Sequence, residues 1–228
     1  TNDVLTATFS DDRLRVFRYG TTFEAVDEFR GITFVDLQGS HGIDGLGARG
    51  NSREFGRTNF TKVNLDVQRN QQIWGPASAF VQFTGQYAAT QLLAQEEFGL
   101  GGRTYGRAFD PSEKTGDHGM AVAAELRYTL EDLKLPMLDL PTTLQFYGFG
   151  DSGRVYHIDS NTRKTFEQLA SAGVGMRFTV GRASRARWRA RCRFTAARPR
   201  WATWATPGAC SSFSTRATDA AGRAGLQA

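Results

Sequence analysis

The sequence predicts an all-β protein, an antiparallel stretch of transmembrane β-barrel, on three observations. Apolar and polar residues alternate one by one through several long runs, the period of a strand whose two faces meet different surroundings. No segment approaches the roughly 18 to 20 uninterrupted apolar residues of a membrane helix. Tight turns alternate with long polar connections, the asymmetry of barrels with short turns at one end and long loops at the other.

The clearest run is 60–69, with Val63, Leu65 and Val67 on one face and Lys62, Asn64, Asp66 and Gln68 on the other. Over 77–88, Ala79, Val81, Phe83 and Tyr87 oppose Ser78, Gln82, Thr84 and Gln86. Over 119–129, Met120, Val122, Ala124, Leu126 and Tyr128 oppose Glu125 and Arg127. Over 167–180, Ala170, Ala172, Val174, Met176, Phe178 and Val180 oppose Glu167, Ser171 and Arg177. Weaker strand patterns lie at 4–9, 13–19, 29–38 and 142–157, giving about eight strands in the first 180 residues. Asp11-Asp12, the Gly-rich 39–58, Gly75-Pro76, 99–118 and Pro136 to Pro141 separate the runs. A soluble sandwich or lipocalin-like barrel alternates equally well, so pattern alone leaves that alternative open.

Composition narrows the classes further. Two Cys and 3 His in 228 residues do not make a disulfide scaffold or a zinc module, and 12% aromatic residues do not suit a disordered tail. His41, His118 and His157 share no ligand spacing, so no metal site is expected. Gly99-Leu100-Gly101-Gly102 is followed by Arg103-Thr104-Tyr105 and no apolar helix, so it is not a phosphate cradle. Glu96 and Glu97, read as neighbours on a strand, point to opposite faces and cannot flank one reacting atom. No nucleophile, base and orienting group assemble, and the expectation is a protein without catalytic residues, metal or cofactor.

The net charge of +5 divides unevenly: residues 181–228 hold 10 of the 28 Lys and Arg and one acid, Asp219. That segment also carries Cys192, Cys210, Trp188, Trp201 and Trp204, and alanine and arginine make up 23 of its 48 residues. Arginine at 185, 187, 189, 191 and 193 gives a period-two basic face, for which a nucleic-acid or membrane-surface role is the minor reading. The composition is that of GC-rich DNA read out of frame, and the tail is expected to be frameshifted after about residue 181, or disordered. With Thr at residue 1 and no signal core, the chain reads as a mature segment or a fragment.

Residues 95–119, QEEFGLGGRTYGRAFDPSEKTGDHG, lie between two of the strong strands. They carry Phe98-Gly99-Leu100-Gly101-Gly102, then Gly106-Arg107-Ala108-Phe109, then Gly116-Asp117-His118-Gly119. This order resembles the long sixth extracellular loop of the two-partner secretion transporters, the haemolysin secretion/activation family ShlB/FhaC/HecB. There a Phe-Gly-x-Gly-Gly base precedes a Val-Arg-Gly-Phe/Tyr tip and a Gly-Asp-x-Gly that opens the next strand. Two tip positions depart from the pattern: Gly106 stands where Val is usual and Ala108 where Gly is usual. Ala108 would be strained if the turn needs a positive φ there.

Downstream, LQFYGFGDSGRVY at 144–156 resembles the family's barrel-wall motif, an inward Asp followed by x-Gly. Parity places Asp151 on the face of Gln145 and Tyr147, and the resemblance implies that it receives Arg107, with a bidentate pair as the expected geometry. Gly148, Gly150 and Gly153 are expected to admit the loop against the wall.

The resemblance implies about half of a 16-strand outer-membrane barrel whose loop folds inward. The whole protein would export an unfolded exoprotein, acting as a monomer in outer-membrane lipid of a bacterium, without cofactor, enzyme activity or nucleic acid. The partner would be met through POTRA domains outside this sequence. An insertase of the same superfamily, a passive porin and a soluble β-sheet binding protein are the alternatives.

Overall fold

The computed structural model describes residues 12–50, 52–53, 55–131, 142–158, 166–180, 184–194 and 213–218. Their strands are β1 (Val16–Val26), β2 (Gly31–Gly42), β3 (Thr61–Trp74), β4 (Ala77–Ala88), β5 (Phe98–Leu100), β6 (Lys114–Gly116), β7 (His118–Leu130), β8 (Thr142–Tyr156), β9 (Phe166–Val180), β10 (Ser184–Phe194) and β11 (Phe213–Thr218). Among the described residues, nine of them form one antiparallel meander in the order β1-β2-β3-β4-β7-β8-β9-β10-β11. The remaining pair, β5 and β6, is a small hairpin inside the connection from β4 to β7. At one end of the sheet the connections 27–30 and 75–76 are short, while that from β7 to β8 spans 131–141. Those at the other end are long, 43–60 and 89–117.

Burial inverts the rule for a soluble protein. On β7, Leu126 is 66% exposed while its neighbour Glu125 is 4% exposed. From β3 to β9 the outward residues include Val63 on β3, Val81 and Phe83 on β4, Met120 and Val122 on β7 and Val174 on β9; on β1, Phe17, Tyr19 and Phe23 are exposed along with the opposite face. A dry sandwich would bury that face, whereas lipid leaves it outward and polar groups inward.

Register sharpens the point. Tyr19 pairs with Gly39, Gly39 with Val63 and Val63 with Tyr87; the ring of Tyr87 lies 4.8 Å from that of His118, and His118 pairs with Tyr156. A second row links Trp74, Ala77, Tyr128, Phe146 and Met176. These rows are aromatic collars. Along β7, from His118 to Tyr128, about 3.3 Å per residue and a tilt of about 40–45° separate them by about 24 Å along the normal, close to the hydrocarbon band of such barrels.

Several boundaries differ from the sequence expectation. The strand expected at 13–19 begins instead at Val16, because Arg13 forms an isolated bridge with Arg49. The one expected at 29–38 begins at Gly31, because Asp27 to Arg30 make a turn: Asp27 Oδ1 accepts from the Gly31 amide at 2.8 Å, and Arg30 has φ of +59°. The candidate strand at 4–9 and the turn from Pro136 to Pro141 lie outside the described residues. Within the tail, the backbone of Ser184–Phe194 pairs with β9 and that of Phe213–Thr218 with β10. The rest of 181–228, Cys210 included, lies outside the described residues.

Candidate functional site: the inward-folded loop and its wall

The connection from β4 to β7 turns back over the polar face of the sheet, and glycines set how close it comes. Phe98 of β5 lies where Gly119 of β7 has no side chain: a Cβ there would sit 2.0 Å from its ring. Leu100 likewise occupies the space over Gly153 of β8, where a Cβ would meet its Cδ2 at 2.5 Å. With Tyr105, Ala108, Phe109, Ala121, Ala123, Val155 and Leu169 these two side chains form the apolar core between loop and wall. Gly99 leaves room for Ser112 across the hairpin, and Gly116 abuts Tyr156 and Val155 of β8. Gly148 and Gly150 have nothing within 4 Å and sit on the outward face; of the three wall glycines expected to admit the loop, Gly153 alone does so. The reason is parity, since even positions of β8 face away from the loop.

Gly119→Leu is expected to push Phe98 out of its seat and lift the hairpin. Such overpacking costs about 1–3 kcal/mol, and faster proteolysis within 95–119 would reveal it.

The tip turns on glycine as well. Gly101 and Gly102 have φ of +109° and +110°, and Gly106 has +62°. A turn closes there, with the Phe109 amide donating to Gly106 O at 2.9 Å. The left-handed residue of the tip is therefore Gly106, where a Cβ would also crowd Gly101 Cα at 3.1 Å. Ala108 is not among the positive-φ residues, and its methyl packs in the core between loop and wall. The strain foreseen at Ala108 does not arise, because the left-handed position falls two residues earlier.

Arg107, 4% exposed, points from this turn into the wall. Its Nη1 pairs with Oε1 of Glu125 on β7, and its Nε lies 3.6 Å from Oδ2 of Asp151 on β8. Nε also donates to Thr104 O at 3.1 Å, and the guanidinium carbon sits 4.7 Å from the centre of the Phe149 ring. Asp151 Oδ1 accepts from the Gly106 amide at 2.7 Å and from Ser171 Oγ at 2.6 Å. The expected bidentate Arg107–Asp151 pair is thus a single long approach. Asp151 caps the backbone of the tip, and Glu125 takes the charge.

Glu125 is shared. Arg127 Nε donates to its Oε2 at 2.8 Å, and Arg177 Nη2 lies 3.2 Å from the same oxygen. Three guanidiniums therefore surround one buried carboxylate, with Asp151 the second acid of the cluster.

Above the aromatic collar, Asp117 joins three connections. It is fully buried, and Arg53 of the 43–60 connection donates to its two oxygens at 2.6 and 3.1 Å. The amides of Leu92 and Ile158 donate to it at 2.7 and 2.9 Å. Burial pushes its carboxyl up. The Arg53 hydrogen bonds and the two amides more than offset this, leaving it below its ordinary value of 3.8. Beside it, Glu96 pairs with Lys62 at 2.9 Å and Arg18 at 2.5 Å, and Glu97 pairs with Arg53 at 2.9 Å. Glu96 ends a single 3₁₀ turn (Ala94–Glu96), so the two glutamates diverge at the end of a turn and not along a strand.

The structure brings Gly106, Arg107, Ala108 and Phe109 of the tip to Asp151 and Gly153 of the wall, and Phe98 to Gly119. Gly101 and Gly102 shape the arm of the loop, and Asp117 staples its root. Sequence reasoning missed Glu125, Arg127, Arg177 and Ser171 as a group, and Arg53. The polar alternation already put the first four on inward faces. Their meeting depends on the β7–β8 and β8–β9 registers, which residue types do not reveal. Among the described residues no group of three or more His, Cys, Asp or Glu is placed to hold a metal ion.

A family model described as haemolysin secretion/activation protein ShlB/FhaC/HecB matches residues 8–178. Among solved structures, CdiB from Escherichia coli superposes with a TM-score of 0.70 at 19% identity, covering 90% of this chain and 37% of that one. The chain thus spans little more than a third of the structure it resembles. No curated protein matches it in sequence.

Proposed function

Since the chain belongs to the haemolysin secretion/activation family ShlB/FhaC/HecB, a family of outer-membrane two-partner secretion transporters, we propose that its sheet is barrel wall through which an unfolded exoprotein leaves the cell. In this reading the barrel sits as a monomer in the bacterial outer membrane, with acyl chains against the apolar face between the two aromatic collars. The exported chain runs along the polar face. An unfolded chain needs partners for its backbone groups there, and Asn64, Gln68, Asn70, Gln82 and Gln86 supply amides from β3 and β4, on the same inward parity as Lys62.

One observation carries the reading. The tip of a long loop is held against the inner wall by a buried arginine between two wall carboxylates, with its root stapled separately. A tip anchored by charge and a root anchored by a hydrogen-bonded acid can part company. The loop then occupies the pore when docked and clears it when released, and no nucleotide, metal or cofactor enters the cycle.

Arg107→Ala tests it in a full-length family member carrying this sequence. Secretion is expected to fall severalfold at equal barrel abundance, measured as exoprotein in the medium. Unchanged secretion would remove the loop from the mechanism.

A further inference from the structure

We infer that Arg127 and Arg177 are release residues: fixed to the wall independently of the loop, they keep Glu125 compensated when Arg107 leaves and so set how readily the tip undocks. The inference rests on the export reading above and specifies how its loop is regulated.

Each of the two arginines has an attachment of its own. The guanidinium carbon of Arg127 lies 4.4 Å from the centre of the Phe80 ring on β4. That of Arg177 lies 3.9 Å from the centre of the Tyr147 ring on β8, and its Nη1 donates to Gln145 Oε1 at 2.6 Å. Neither attachment involves a loop residue, so both cations stay when the tip departs. Arg107 differs: it belongs to the loop, and its contacts include Thr104 O within the loop and the Phe149 ring of the wall.

Electrostatics then gives a sign. With the tip docked, three cations share Glu125 and Asp151, and Arg107 is repelled by the two it joins. With the tip away, Glu125 retains two partners, which removes the usual obstacle to breaking a buried pair, a stranded charge. Asp151 retains Ser171. Both effects favour release. Deleting Arg177 or Arg127 should therefore hold the tip in, although deleting Arg107 lets it go. Residues around one carboxylate would act in opposite directions.

The experiment uses a full-length family member carrying this sequence in lipid bilayers, with spin labels at Arg103→Cys on the loop and Gln82→Cys on the wall. Open probability is recorded in parallel, and heat-modifiable migration confirms that each barrel folds. Arg177→Met and Arg127→Met are expected to lower the released population by about twofold to fivefold, the scale of one solvent-screened ion-pair equilibrium. Arg107→Met raises it, and Arg177→Lys, which keeps the charge, stays near the parent. In a Glu125→Gln background, where only the repulsion of Arg107 remains, Arg177→Met should lower it less. Increased release in Arg177→Met, or an undiminished effect without Glu125, overturns the inference while leaving the docking loop in place. A tip that stays docked even in Arg107→Met refutes the export reading's moving loop, and this inference with it.

Discussion

Glu125→Gln is expected to free the loop tip more completely than any other single wall substitution, and more than Asp151→Asn. The amide leaves Arg107, Arg127 and Arg177 facing one another with Asp151 as the sole remaining acid of the cluster. Breaking one side of a buried ion pair costs about 3–5 kcal/mol, and here the stranded charge is the loop's own. Asn at 151 still offers an oxygen to the Gly106 amide and to Ser171, the two hydrogen bonds Asp151 makes at 2.7 and 2.6 Å. The ranking is checked by the loop-to-wall distance in the two variants. Equal displacement would mean that the charge at 125 does not dominate docking.

The second large effect is expected from Asp117→Ala, which acts at the root and not at the tip. It removes the acceptor for Arg53 and for the Leu92 and Ile158 amides at once, in a site with no exposure to water. Buried donors left unpaired cost about 1–3 kcal/mol each, moderated here because Arg53 keeps Glu97 at 2.9 Å. The readout is hydrogen exchange: the amides of residues 92 and 158 should lose protection together, with faster cleavage in 43–60. Acid should mimic the change. Asp117 is held below 3.8, so its contribution is complete above that value and is lost as pH falls through the lower, folded one. Protection at 92 and 158 should therefore persist at pH 5 and collapse only in stronger acid. Collapse near neutrality would mean that another group governs the staple.

How much of this was legible in the residues divides along a physical line. Strand parity is local, so the inward set on β7, β8 and β9 and the outward apolar belt were readable from alternation alone. The motif order located tip, base and wall, and Asp151 does meet the Gly106 amide. What alternation cannot supply is register. Glu125 lies opposite Phe149, and Arg177 opposite Gln145; both facts depend on how long each connection is and how it folds. Nor does a glycine announce which face it occupies until parity is applied to it. Gly148 and Gly150 look like loop seats in the sequence and lie on the outward side, whereas Gly153, of opposite parity, receives Leu100. Arg53 was illegible for a different reason: it sits in an irregular connection, where no period predicts direction.

The fully buried staple at Asp117 and the paired left-handed glycines at 101 and 102 together have a mechanical consequence. With the root pinned, the tip can swing about this two-residue fulcrum, and the hairpin need not melt to allow it. Stiffening that fulcrum should slow undocking without weakening either anchorage, as a rusted hinge stops a door whose latch still works.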